Sequence, residues 1–254
     1  SEEELLGGIS LYRLVHHDDR KKLRNDIRRL LNERETKNTY LYRIVSKSGE
    51  TLWFETRLST INWKKRMFLL SAVDITERRQ AEEKLKEYAT YDELTGVFNR
   101  RVGLDLLERE MDGAHRDGSS FTACFIDVNG LKKVNDTFGH DAGDELIKSV
   151  VFVASREMRS GDIICRLGGD EFLLIFKDCD MRNAKKIKKR MEHRFVELNE
   201  EPQRQYEISV SYGLLEYGRQ VNLSVQELIH RADQRMYEDK LARRAQRDSR
   251  LSSR

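Results

Sequence analysis

Two apolar runs, Asp162–Leu167 (DIICRL) and Phe172–Phe176 (FLLIF), are separated only by Gly168-Gly169-Asp170-Glu171. So short a spacer with paired glycines specifies a hairpin, because Gly-Gly permits the positive φ angles of a tight connection. The turn places Asp170 and Glu171 at its tip, where adjacent carboxylates suit a hard cation such as Mg²⁺. Standing alone, an acidic turn is more commonly solvated surface. A further acid shifts that balance: Asp127 ends the apolar run TACFID, so that a strand delivers it to one edge of the sheet.

The flanking sequence supplies the rest of an α/β domain. Phe121–Asp127 is an apolar strand, and Ala142–Met158 is an amphipathic helix. Ala184–Leu198 carries Ile187, Met191, Phe195 and Leu198 on one helical face. Tyr206–Tyr217 is strand-like, and Ser224–Arg244 is a long helix opened by a Ser224/Glu227 capping box. The order β-α-β-turn-β-α-β-α predicts a sheet with helices packed on it.

The first third reads separately. Asp18–Glu33 has Leu23, Ile27, Leu30 and Leu31 at helical spacing, and Tyr40–Ser46, Leu52–Ile61 and Met67–Val73 are β-prone. In the second of these strands Leu52, Phe54, Thr56, Leu58 and Thr60 alternate with Trp53, Glu55, Arg57 and Ser59, the period of a half-buried strand. From Thr76 to Tyr91 neither Gly nor Pro occurs, and Ala81, Leu85 and Tyr88 form a narrow seam suited to a two-helix coiled coil or, more simply, a solvated linker helix. The expected divisions are 1–75, the helical linker 76–91, and 92–250. At about 150 residues per domain, 254 residues make roughly 1.7 domains.

Charge and cysteine content exclude several classes. Lys and Arg number 47 against 44 Asp and Glu, too even a balance for a dedicated nucleic-acid binder. No run reaches the roughly 18–20 apolar residues that span a bilayer, and no signal-peptide core follows the start. Cys124, Cys165 and Cys179 form no CxxC pair and sit in or beside apolar runs, as reduced thiols of a cytoplasmic protein do.

Four stretches in register carry a resemblance. Arg166-Leu-Gly-Gly-Asp-Glu-Phe172 resembles the signature of the GGDEF family of diguanylate cyclases. Asp92-Glu-Leu-Thr-Gly-Val-Phe-Asn-Arg100 resembles the family's opening motif. Asp127-Val-Asn-Gly-Leu-Lys-Lys-Val-Asn-Asp136, with Phe138-Gly-His-Asp-Ala-Gly-Asp144, resembles its metal- and base-binding stretch, and Ala232-Asp-Gln-Arg-Met-Tyr-Glu-Asp-Lys240 its closing helix. The likeness covers residues 90–245. It implies a central, mostly antiparallel sheet flanked by helices, and the joining of two GTP into cyclic di-GMP with release of two pyrophosphates in a homodimer.

Residue by residue, the resemblance implies that Asp127, the Val128 carbonyl and Asp170 hold Mg²⁺, for which Mn²⁺ substitutes. It makes Asp170 and Glu171 the catalytic acids, either of them assisting deprotonation of the attacking hydroxyl. Asn135 and Asp144 contact guanine, whose N1–H and N2–H₂ donors suit a carboxylate; a helix-capping role for Asp144 is compatible with this. Lys132, Lys240 and Arg244 contact phosphate. Arg159 and Asp162 match an inhibitory product site, with Arg190 as a candidate partner or simply part of a basic face. Asn129 departs from the common aspartate and removes a negative charge near the metal. The alternative reading is a catalytically weak receptor that binds cyclic di-GMP and signals by contacts; mixed-dinucleotide synthesis is disfavoured by Asp144.

The N-terminal stretches HHDDR, YRIVSKSGETLWFETRLS and AVDITERRQAEEKL resemble the C-terminal half of a PAS sensor domain. Two further strands and short helices of a complete PAS domain are expected to be missing, the mark of a truncated or divergent sensor. Loop residues His16 and His17 suggest metal or haem binding or, more commonly in this motif, a structural role.

Overall fold

The computed structural model describes residues 10–33, 39–62 and 67–252. The chain divides into two compact units, Ser1–Lys86 and Glu87–Arg254.

In the first unit, α1 (Leu11–Leu14), a 3-10 turn (His17–Asp19) and α2 (Arg20–Glu33) precede the antiparallel meander β1 (Thr39–Val45), β2 (Thr51–Asn62) and β3 (Met67–Asp74). A small core of Val15, Leu23, Tyr40 and Tyr42 joins helix to sheet. Its polar lock is Asp19, which accepts the Arg43 amide at 2.9 Å and both sides of its guanidinium at 3.0 and 2.7 Å. Arg43 lowers the Asp19 pKa to about 2. The Asp74-Ile75-Thr76 exit is fastened to the sheet: the Thr76 hydroxyl accepts the Trp53 amide at 2.8 Å and donates to Asp74 at 2.6 Å. Helix α3 (Thr76–Thr90) starts from that clasp. His16 caps the 3-10 turn with Nδ1 accepting the Asp18 amide at 3.4 Å. His16, His17 and Asp18 bring three donor atoms within 4.8 Å of one another, but the His17–Asp18 pair at 2.9 Å and this cap already use them.

The second unit runs α4 (Arg100–Asp117), β4 (Ser120–Val128), α5 (Leu131–Phe138), α6 (His140–Glu157), β5 (Ile163–Gly168), β6 (Glu171–Lys177), α7 (Met181–Asn199), β7 (Val210–Gly218) and α8 (Val225–Ser252). The strands lie in the order β5-β6-β4-β7, each antiparallel to its neighbours. Both faces are covered, so β4 and β6 are apolar at consecutive positions instead of alternating. Cys124, Ile126, Phe172, Leu174 and Phe176 pack with Val150 of α6 and Met191 of α7. Phe121, Phe125, Leu173 and Ile175 face Leu107 and Met111 of α4 and Leu228 and Met236 of α8.

Three helices, α1, α4 and α5, do not declare themselves in the sequence. The α4 seam is interrupted by Gly103, which packs so tightly that an added Cβ would lie 2.0 Å from Cys165 Sγ. Helix α5 has eight residues, too few for periodicity to declare itself. Strand β7 starts at Val210 and not at Tyr206. The free edge of β7 is closed by α8: Asp239 accepts the Tyr212 amide at 3.1 Å, and Arg235 donates to the Leu214 carbonyl at 2.6 Å. Such proximity needs Gly213, because a Cβ there would sit 1.9 Å from the Ala232 carbonyl oxygen. Among the described residues no helix is long and apolar enough to cross a membrane.

Candidate functional site

The β5–β6 hairpin closes with Gly168 opposite Glu171 and a register shift between Arg166 and Gly168. Only Gly169 has a positive φ, at +23°, so one of the two glycines, not both, meets the conformational demand expected of the pair. The turn is braced from within. Arg166 donates to the Gly169 carbonyl at 3.1 and 2.7 Å and to Asp92 at 3.0 and 3.4 Å. Asp92 also accepts the Thr95 amide and hydroxyl at 3.0 and 2.6 Å, which with Arg166 hold its pKa down against burial. The segment carrying Asp92 is bonded to the outer edge of β5: Phe98 donates to Ile164 at 3.2 Å and accepts from Arg166 at 2.9 Å.

The same segment grips the end of α3. Asn99 donates its side-chain amide to the Tyr88 carbonyl at 3.2 Å and its backbone amide to Thr90 at 3.0 Å; Arg101 donates to Ala89. Asn99 thus caps two helices at once, since its Oδ1 accepts the Val102 amide at the start of α4. Sequence alone does not single out Arg166, Asp92 and Asn99. Each lies in a quoted motif, but the contacts among these motifs are long-range.

Strand β4 brings Asp127 to this tip. It pairs with Glu171 on one side and Ser211 on the other, and the next amide, Val128, donates to the Asp170 carbonyl at 2.9 Å. Asp127, Val128, Asp170 and Glu171 therefore converge at the tip. Asp127 is 7% exposed. Burial raises its pKa, Lys240 opposes that through hydrogen bonds and charge, Asp170 adds to the rise and Arg244 counters it. Glu171 is raised by burial and then by Asp170, Asp233 and Asp127, against Arg100. Asp127 and Glu171 are thus each raised in part by neighbouring carboxylates.

Lys240 Nζ lies 2.7 Å from both carboxylate oxygens of Asp127. Lys132, on the first turn of α5, and Arg244, on α8, are exposed. Asn135 of α5 packs against Gly143 of α6, the residue before Asp144. A Cβ on Gly143 would lie 1.8 Å from Asn135 Oδ1. Asn129, two residues after Asp127, donates its side-chain amide to Ser209 at 3.2 Å and accepts from Ser211 at 3.1 Å, tying the end of β4 to β7.

Arg159 and Asp162 share one turn beside β5. The Asp162 carboxylate accepts the Arg159 amide at 2.8 Å and the Lys177 amide at 3.0 Å, while the Arg159 guanidinium makes no hydrogen bond or ion pair among the described residues. Arg190 is engaged with Glu157, at 2.6 Å to its carboxylate and 2.8 Å to its carbonyl.

These features define a class: an antiparallel sheet, covered by helices, that gathers carboxylates at a hairpin tip and faces them with cationic side chains from a neighbouring helix. Comparison with known proteins makes the class specific. The family described as "Diguanylate cyclase, GGDEF domain" matches residues 89–246, and a PAS fold matches residues 1–73. Response regulator PleD of Caulobacter vibrioides is 38% identical over 105 residues, 41% of this chain and 23% of that protein. Probable diguanylate cyclase DgcJ of Escherichia coli is 30% identical over 201 residues, 77% of this chain and 38% of that protein. The chain thus spans well under half the length of either relative. Among solved structures, the coiled coil and GGDEF domain of DgcB from Caulobacter crescentus, in complex with c-di-GMP, superposes with a TM-score of 0.59 at 27% identity, covering 66% of this chain and 89% of that one. The chain belongs to the GGDEF family, and its N-terminal region is PAS-like.

Proposed function

We propose that this chain is a diguanylate cyclase that condenses two GTP into cyclic di-GMP and releases two pyrophosphates. The observation that carries the reading is the hydrogen bond from Val128 to the Asp170 carbonyl, which fixes the end of β4 against the acidic turn. The donors around it, carboxylates of Asp127 and Asp170 and the Val128 carbonyl, are all oxygen, a set that fits Mg²⁺ or Mn²⁺. All three cysteines are buried thiols, and Cys124 and Cys165 are pushed up to about 12 by that burial. A metal held there supplies positive charge to the α-phosphate as it is attacked.

The protein's own part is alignment and proton transfer. In each half-reaction a ribose 3′-oxygen bonds to an α-phosphorus while the bond to the pyrophosphate oxygen breaks. The hydroxyl proton passes to Asp170 or Glu171. Burial and the acidic neighbours of Glu171 raise its affinity for a proton, in keeping with such a role. Lys132, Lys240 and Arg244 neutralise the phosphates, and Asn135 with Asp144 accepts and positions guanine. One protomer holds one nucleotide, so turnover requires a homodimer; the exposed Leu85 and Tyr88 offer a seam through which helix pairing sets the encounter. Arg159, with its free guanidinium, and Asp162 receive the product as a feedback inhibitor.

The test is incubation of purified protein with Mg²⁺ and GTP, ATP or both, with products identified by mass. Cyclic di-GMP from GTP alone is expected, abolished by Asp170→Asn. No cyclic di-GMP even from a forced dimer refutes the reading.

A further inference from the structure

We propose that Lys240 is a built-in stand-in for the metal: its ammonium holds Asp127 until nucleotide phosphate draws it away, so that metal and nucleotide load together. The inference rests on the site assigned above and adds an order of events to it.

The geometry is that of an occupied cation position. Nζ is equidistant, 2.7 Å, from Asp127 Oδ1 and Oδ2, the bisecting placement that a chelated cation takes. The two side chains are 23% and 9% exposed, so the pair is largely withdrawn from water. No other side chain among the described residues hydrogen-bonds the Asp127 carboxylate. Its surroundings explain the arrangement. A carboxylate at the end of a buried strand, beside Asp170 and opposite Glu171, is costly to leave without a counter-charge. A compact ammonium on a flexible stem satisfies it and remains able to leave.

Lys240 has somewhere to go. It sits one helical turn before Arg244 on α8, so both cations reach the same region, and a triphosphate offers several negative charges where Asp127 offers one. A metal arriving alone must break an ion pair shielded from water. A metal arriving with nucleotide meets no such cost, because the ammonium moves to phosphate as the metal takes the carboxylate. Linkage then makes metal and nucleotide tighten each other's binding. A lysine that only contacts phosphate creates no barrier to metal in the absence of nucleotide.

The experiment is Mn²⁺ binding to the full chain, measured from the electron paramagnetic resonance signal of free Mn²⁺ at pH 8 and fixed ionic strength, without nucleotide and then with a non-hydrolysable GTP analogue. Lys240→Met is expected to tighten nucleotide-free Mn²⁺ binding about 10-fold or more, within the usual range of coupling between sites. Arg244→Met removes the same charge without touching Asp127 and is expected to change it by less than about 3-fold. Lys240→Arg keeps a cation on Asp127 and stays near wild type, and Asp127→Asn added to Lys240→Met erases the gain. After subtraction of the Mn²⁺ that the analogue chelates in protein-free solution, the analogue tightens Mn²⁺ binding to wild type by a larger factor than to Lys240→Met. If Lys240→Met binds nucleotide-free Mn²⁺ no better than Arg244→Met does, with both variants melting cooperatively, the stand-in role is overturned. Should wild type fail to bind Mn²⁺ even with the analogue, the site assignment itself is what fails.

Discussion

Replacing Arg166 with alanine tests whether the acidic turn is a rigid platform or merely a convenient loop. The substitution removes two hydrogen bonds to the Gly169 carbonyl and the ion pair with Asp92, whose partners are 14% and 23% exposed. Bonds to a charged group contribute about 1.5–3 kcal/mol each when buried. Here the Gly169 carbonyl is exposed and takes water, and Asp92 keeps both bonds from Thr95, so the net stability cost is about 2 kcal/mol. For a domain of this size that lowers Tm by roughly 4–8 °C. The effect on turnover is larger in proportion. Asp170 and Glu171 follow Gly169 directly, and a displacement of about 1 Å at reacting groups costs on the order of 100-fold. The loss falls on kcat and not on KM, because the residues proposed to face base and phosphate stand on α5, α6 and α8. Lysine at this position pairs with Asp92 but cannot fork onto the carbonyl as well, so Arg166→Lys falls between the two. The assay is initial-rate pyrophosphate release at saturating GTP, alongside thermal melts. An alanine variant that melts several degrees lower yet turns over within about 3-fold of wild type would show that Arg166 is a strut for stability only, and the positioning argument would fail.

Further outcomes follow from single contacts. Gly143→Ala pushes a methyl onto Asn135, so the KM for GTP rises about 10-fold while helix propensity, improved by about 1 kcal/mol, keeps the protein folded; nucleotide binding by calorimetry and a melt separate these effects. Arg159→Ala weakens product inhibition at unchanged Tm, whereas Asp162→Ala also costs about 1–2 kcal/mol by releasing the Arg159 and Lys177 amides; equal Tm values for the two variants would contradict this. Glu171 has a raised pKa, so the folded metal-free protein binds its proton more tightly than the unfolded chain does. Stability from this group is present at low pH and lost as pH climbs through the raised value. Glu171→Gln therefore lifts the metal-free Tm slightly at pH 7.5 and gives no gain near pH 4, as melts at both values would reveal. Leu85→Asp, on an exposed seam position, lowers dimerisation and turnover together, measurable by sedimentation and rate; unchanged kinetics would sink the coiled-coil idea.

What the sequence displays is whatever short-range chemistry encodes. The apolar runs of β4, β5 and β6 are legible because strands buried on both faces need consecutive large side chains. The Ser224/Glu227 capping box is formed as its spacing requires, with Glu227 accepting the Ser224 amide at 2.7 Å and returning its own amide to the Ser224 hydroxyl at 3.2 Å. The acidic site is legible for the same reason: Asp127 ends a strand and Asp170 sits in a turn, so both reach one sheet end. Helices α4 and α5 escape notice because the apolar seam of one is interrupted by a glycine that packing demands and the other is two turns long.

The remainder is invisible because it depends on where distant segments land. Asp92 and Arg166 are 74 positions apart, and Asp127 and Lys240 are 113 apart. The first pair fixes the turn; the second neutralises the strand-end acid. Asn99 joins this set by holding the last carbonyls of α3 while it starts α4, so the helix end, the Asp92 segment, Arg166 and the Gly169 carbonyl are bonded in succession. Any twist of α3 that moves the Tyr88 and Thr90 carbonyls must either break the Asn99 bonds, exposing a helix end, or carry the Asp92 segment with it. Motion of that segment in turn strains the Arg166 fork on the acidic turn. The residues proposed to perform chemistry are thus named by the resemblance of their motifs, whereas those that brace the turn are readable only from the fold.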